Sequence, residues 1–227
     1  MQPIIRTEGV FRDFPSGRDV IHVLKNINLS IMPGTLTILK GRSGSGKTTL
    51  MNLLGALDRP TKGKIYINGR EISKMAEKER DEIRRREMGF VFQSVALVSL
   101  MSAYENVEFG LRIAGYDPAK RKERAEECLA FVGLHKRMNH RPHELSGGEQ
   151  QRVAIARAFA HRPKVIFADE PTAELDTAMG LQVMKVFRDL VEKEGVTVVM
   201  TTHDPNMMEL GDNVFTLEDG EIIDQEK

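Results

Sequence analysis

The segment Gly41-Arg42-Ser43-Gly44-Ser45-Gly46-Lys47-Thr48 gathers the residue types that hold a chain of phosphates. Glycines let successive backbone N–H groups turn inward as an anion nest, and a helix start adds its partial positive charge. Lys47 offers a point charge to terminal phosphates, Thr48 offers a hydroxyl to Mg²⁺, and Thr49 is grouped with them as a binding residue. A second chemical element is the apolar run Val165-Ile166-Phe167-Ala168, which leads straight into Asp169-Glu170. Carboxylates at the C-terminal end of a buried strand lie at the edge where α/β sheets bind ligands. Asp169 is therefore expected in a Mg²⁺ shell, through water, and Glu170 is placed to polarise an attacking water. Alone, a Gly/Ser loop or a solvated acidic pair would be unremarkable. Together they point to a nucleotide phosphate site.

Both elements need scaffolding, and the sequence supplies it. Leu36-Thr37-Ile38-Leu39 reads as a short strand feeding the glycine loop, and Thr48 to Leu57 as the helix it opens. Upstream, the stretch from Val23 alternates apolar and polar residues from Ile27 to Ile31, as a half-buried strand does, and Met32-Pro33-Gly34 supplies a turn. Lys64 to Gly69 is a further strand ending in Asn-Gly. From Ile72 to about Leu134 the chain becomes charged and helical. Ala119 to Val132 forms an amphipathic helix with Ala125, Cys128, Leu129 and Val132 on one face, and Gly133 at its C-terminal cap. Beyond that, helices over Gly148–His161 and Ala178–Glu194 alternate with buried strands at 165–168 and 196–202, and short strands near Val214 and Ile222 follow. The alternation implies an α/β core with a helical insertion around residues 75–145, all within one domain spanning 1–227.

Composition excludes several classes. The 33 Lys and Arg residues equal the 33 Asp and Glu residues, and a neutral balance disfavours nucleic acid as a partner. The single Cys128 rules out an internal disulfide framework and fits a reducing compartment. No apolar run approaches the roughly 18–20 residues that span a bilayer, and the N-terminal residues lack the apolar core of a signal peptide. A cytosolic protein that touches a membrane only through a partner is the expectation.

Leu145-Ser146-Gly147-Gly148-Glu149-Gln150-Gln151 is a second small-residue helix start, with Ser146 a natural N-cap. With the two earlier elements, it makes the chain resemble the ATP-binding subunit of ATP-binding-cassette (ABC) transporters over essentially its whole length. The resemblance implies a P-loop core of mainly parallel sheet flanked by helices, with an antiparallel β subdomain. It also implies ATP with Mg²⁺, and two copies packed head to tail, so that Ser146, Gly147, Gly148 and Glu149 of one face the phosphates bound by the other. Gln93 matches the glutamine that reaches Mg²⁺ and the attacking water, and His203 the histidine that contacts the γ-phosphate. Asp176 in Ala173-Glu174-Leu175-Asp176 matches the acid of the family's D-loop, where Glu174 replaces a small or amide residue. Phe14 matches the aromatic that stacks on adenine, with Phe11 a competitor. The segments 55–61 and 151–158 resemble most the lipoprotein-release, macrolide-export and cell-division group (LolD-, MacB- and FtsE-like). Such members work at the cytoplasmic face of the membrane with a membrane subunit.

Between Gln93 and Gly115 lies an apolar stretch without clear helical period, including Val95, Leu97, Val98, Leu100, Met101, Phe109 and Ile113. Exposed apolar patches mark interfaces, so an integral membrane permease is expected to dock near residues 93–113; packing of the helical insertion on the core is the plainer reading. Charge substitution at Leu97 or Met101 is then expected to uncouple that partner. His135, His140 and His143 fit no zinc spacing. An alternative is a cell-division type regulator that opens an external hydrolase without transport. A cytosolic ABC protein acting on ribosomes or DNA is disfavoured by the single cassette and the neutral charge.

Overall fold

The computed structural model describes residues 2–17 and 19–226. Its centre is a six-stranded sheet in the order β10-β9-β3-β8-β7-β6, comprising β3 (Leu36–Lys40), β6 (Met88–Val91), β7 (Val165–Asp169), β8 (Thr197–Thr201), β9 (Asn213–Glu218) and β10 (Glu221–Glu226). All pairings are parallel except the edge hairpin of β9 and β10. The fully apolar strands alternate between two cores. Ile166 and Ala168 of β7 join a cluster on one face with Val198 and Met200 of β8. Val165 and Phe167 point to the other face with Leu39 and Val199. That is how a strand buried on both sides keeps its period of two while carrying apolar residues at successive positions.

A second, antiparallel sheet in the order β2-β1-β4-β5 covers one of those faces. It contains β1 (Ile5–Ser16), β2 (Asp19–Ile31), β4 (Lys62–Ile67) and β5 (Arg70–Glu71). From Ile27 to Ile31 the odd residues are buried and the even ones exposed, as the sequence alternation required. Asn68 and Gly69 both adopt positive φ, 49° and 76°, the two-residue turn whose twist matches a hairpin. β1 was not legible as a strand: its pairing with β2 shifts register three times between Thr7 and Asp13, and bulges erase alternation.

The helices are α1 (Lys47–Leu54), α2 (Glu77–Glu87), α3 (Ala103–Ile113), α4 (Arg121–Phe131), α5 (Gly147–Phe159), α6 (Thr177–Glu194) and the short α7 (Pro205–Met208). α1 stops three residues before the expected Leu57, because Gly55 caps it and Ala56 turns to φ 56°. The stretch 75–145 holds a core strand, β6, so α2 precedes the sheet's edge and α3 and α4 follow it. α3 is a helix where no helical period was read. Ser102 Oγ accepts the Glu105 N–H at 3.2 Å, and Glu105 accepts the Ser102 N–H at 2.8 Å, a closed capping box. Asn106, fully buried, then stitches the preceding loop to α3 through the Val98, Met101 and Ser102 carbonyls and the Val98 N–H.

Candidate nucleotide site

β3, β7 and β8 run parallel, so the loops after them leave the sheet at one edge. The loop after β3 is the glycine loop. It wraps a cavity of about 690 Å³ lined by Gly41 to Gly44, Gly46 to Thr49, Val23, Glu170 and His203. Gly41 admits no side chain, since a Cβ there would lie 2.3 Å from the Leu217 carbonyl oxygen. Gly46 is the N-cap of α1 at φ 102°, and no side chain caps the helix. The first N–H groups of α1 therefore remain for an anion. Lys47 is buried, and its ammonium donates to the carbonyls of Gly41 at 2.8 Å and Arg42 at 3.0 Å. Both acceptors are neutral carbonyls, so an anionic phosphate oxygen would be a stronger partner for this ammonium. The buried Ser45 hydroxyl has no protein partner, which also suits a loop built around something else.

β7 delivers the carboxylates. Asp169 accepts hydrogen bonds from the Thr48 hydroxyl, at 3.2 and 3.4 Å to its two oxygens, and from Thr201 at 2.6 Å. Thr48 and Asp169 thus converge as hard oxygen donors, the set that suits Mg²⁺. Thr201 also accepts the Glu170 N–H at 2.9 Å, pinning a residue held at a left-handed φ of 45°. The Glu170 carboxylate then accepts a hydrogen bond from His203 Nδ1 at 2.6 Å. This carboxylate–imidazole pair faces the same cavity as Lys47. Thr201 was missed in the sequence, although a hydroxyl inside the apolar strand Val198-Val199-Met200-Thr201 was its signal.

The remaining sequence candidates do not line the cavity. Gln93 is exposed and lies two residues past β6, whose last pairing joins Val91 to Ala168 of β7, the residue before Asp169. Ser146 caps α5 and accepts the Glu149 N–H at 3.3 Å, while Glu149 accepts the Ser146 N–H at 2.9 Å. Gly147 and Gly148 pack beside Leu175 and Met179, so this second helix start adjoins the loop before α6. Asp176 caps α6 by accepting the Met179 N–H at 2.9 Å. Phe14 sits on the β1–β2 hairpin opposite Ile21, and Val23 is the residue of that hairpin that reaches the cavity wall. Among the described residues no group of three His, Cys, Asp or Glu side chains could hold a metal ion. Burial pushes the Cys128 thiol up to about 12, which makes it inert.

A separate groove of about 540 Å³ opens between α2, β6 and α3. Its apolar wall comes from Leu57, Phe90, Phe92 and Ile113, with Arg84, Arg85, Arg157 and His161 around them. His161 donates from Nε2 to the Met88 carbonyl at 2.9 Å, and burial pushes its pKa down. The expected patch at 93–113 is thus divided. Val107 and Leu111 are core, Leu97 packs against that core, and Phe109, Ile113 and Leu100 stay exposed. Leu97 is therefore a poor site for a charge that spares the fold, in contrast to the earlier expectation.

A glycine loop opening an uncapped helix, beside a strand-end carboxylate pair, defines a phosphate-loop nucleotide hydrolase. The ABC transporter family model matches residues 24–173. An ABC transporter ATP-binding protein of Methanocaldococcus jannaschii, MJ1508, is 45% identical over 221 residues, covering 97% of this chain and 98% of the relative. The macrolide export ATP-binding/permease protein MacB of Agrobacterium fabrum is 46% identical over 226 residues, and the chain spans 35% of its length. The dimeric post-hydrolysis structure of the ATP-binding cassette MJ0796, bound to ADP and Pi, superposes with a TM-score of 0.89 at 41% identity, covering 98% of both chains. The chain belongs to the ABC transporter family and is its ATP-binding, ATP-hydrolysing cassette. Among the described residues no helix is long and apolar enough to cross a membrane.

Proposed function

We propose that two copies of this cassette close head to tail over ATP, and that closure and hydrolysis drive a permease of the macrolide-export or lipoprotein-release type at the cytoplasmic face of the membrane. One observation carries the reading. The cavity gathers Lys47, Thr48, Glu170 and His203, while the second anion-ready helix start, at Ser146 to Gly148, lies outside it. One chain therefore holds one phosphate cradle and, apart from it, a second helix start that can meet the phosphates held by a second copy.

In the reaction, Lys47 leaves its two carbonyls for the β- and γ-phosphate oxygens. Glu170 accepts a proton from the attacking water as its oxygen bonds to the γ-phosphorus and the bond to the bridging oxygen breaks. His203 holds Glu170 in place and meets the γ-phosphate, Gln93 orients the water, and Phe14 stacks on the base. Thr48 and Asp169 would hold Mg²⁺, which supplies charge neutralisation along the phosphate chain when bound. Ser146, Gly147 and Gly148 offer N–H groups and a hydroxyl to the partner's γ-phosphate. Glu149 and Asp176 serve the same contact by building the two helix starts. The groove walled by Phe92 and Ile113 accepts a short cytoplasmic segment of the permease through its apolar side chains.

Mixing two defective variants tests the pairing. Lys47→Ala spoils the cradle and Gly147→Asp spoils the opposing helix start. Each should be inactive alone, and their mixture should recover single-turnover hydrolysis, because one of its two composite sites is intact. Two inactive proteins that stay inactive when mixed would contradict the pairing.

A further inference from the structure

Arg12, on β1, belongs to none of the motifs above, yet its guanidinium is fixed on three sides. Nε donates to Asp58 Oδ2 at 2.7 Å and Nη2 to Asp58 Oδ1 at 3.1 Å, a two-pronged pair, while Nη1 donates to the Asp13 carbonyl at 3.2 Å. Its central carbon stands 4.1 Å from the centroid of the Phe14 ring, within cation–π range. Asp58 is immobilised in turn. Oδ1 accepts the Arg59 N–H at 2.7 Å, and the Asp58 and Ala56 carbonyls accept from the buried Arg80 at 2.5 and 2.7 Å. The same loop is sewn to β1 twice more, through the Asp13 N–H to Thr61 Oγ1 at 2.9 Å and the Thr61 N–H to the Phe11 carbonyl at 2.8 Å. This loop is the one that leaves α1, whose first turn carries Lys47 and Thr48.

We infer that Arg12 is a positioning residue for the nucleotide base: clamped by Asp58, it holds the Phe14 ring as a preset stacking platform and fixes that platform to the loop leaving the phosphate-binding helix. The inference rests on the reading of Phe14 as the base-stacking residue. Arg12 covers one face of the ring, and the ring is only part-buried, so part of it stays open to a planar base. The need for a clamp follows from the hairpin itself. Val20 and Ile21 beside Phe14 are both more than half exposed, so packing alone does not fix the ring. A side chain already ordered before the base arrives loses less freedom on binding. Lysine could not substitute, because only the planar fork meets both carboxylate oxygens while lying over a ring.

Calorimetric titration of the whole chain with ATP and, separately, with inorganic tripolyphosphate distinguishes base recognition from phosphate binding. Arg12→Met should weaken ATP by about fivefold through the lost cation–π contact and lost ordering, and leave tripolyphosphate within about twofold. Arg12→Lys should recover little of the loss. The Arg12→Met/Phe14→Ala pair should bind ATP no more weakly than Phe14→Ala alone, since both act through one ring. Equal losses for ATP and tripolyphosphate in Arg12→Met would overturn the inference, leaving Arg12 a loop pin. So would unchanged ATP affinity in Arg12→Met alongside a weakened Phe14→Ala, with the stacking role of Phe14 intact. Unchanged ATP affinity in Phe14→Ala would remove the stacking reading, and the inference with it.

Discussion

The starts of α1 and α5 are both glycine-rich and both suited to anions, but they are finished differently. α1 begins at Gly46 with no side-chain cap and no acidic residue in its first turn, and a buried Lys47 waits beside it. α5 begins at Ser146 with a closed capping box, and Glu149 sits in its first turn. The first arrangement leaves N–H groups and positive charge free, which a polyanion needs. The second spends one N–H on Ser146 and partly neutralises the helix dipole with a carboxylate. The α5 start is satisfied by the chain's own side chains and so keeps fewer free N–H groups for an anion than the α1 start does. The two helix starts are thus built from the same residue types and differ in what caps them: nothing at α1, the Ser146 and Glu149 side chains at α5.

The largest effect should come from breaking the first start. Lys47→Ala removes two or three charge-assisted hydrogen bonds to phosphate and should lower ATP affinity by about 100-fold, read by titration calorimetry. Next comes a charge at the second start. The Cβ of Gly147→Asp would meet only Leu175 at 3.4 Å, and an acid in a first turn favours the helix, so the fold should keep its melting temperature or gain slightly. ATP binding to one chain should be unchanged, while hydrolysis falls by about 100-fold as the carboxylate opposes the partner's phosphate. Loss of ATP affinity in this variant would place α5 in the chain's own site and erase the comparison. Removing the cap alone is the mildest test. Ser146→Ala should cost about 1 kcal/mol in denaturant unfolding, whereas no side chain at the α1 start carries a comparable capping bond.

The phosphate loop and the strand-end carboxylates were legible because their chemistry is contiguous in sequence. A nest needs neighbouring glycines, and a carboxylate at a strand end needs only the apolar run before it. What depended on distant segments was not. α3 hid because Phe109 and Ile113 face outward and blur its apolar stripe, although Ser102 and Glu105 stood at capping-box spacing. The groove joins Leu57, Phe92 and Ile113 from three separate elements, so no single stretch announced it. Arg12 and Asp58 are an ordinary pair of charges until the fold brings them together under Phe14. Thr201 looked like one more strand residue, yet it holds both acidic residues of the site.

The central claim is that one chain supplies half of each hydrolytic site. Glu170→Gln keeps the shape of the cradle, removes the acceptor for the water's proton, and so should trap ATP between two chains. Light scattering on this variant, with Mg²⁺ and ATP added, should give twice the 25.6 kDa of one chain, and the single-chain mass without nucleotide. A mass that stays at one chain under saturating ATP would contradict the account.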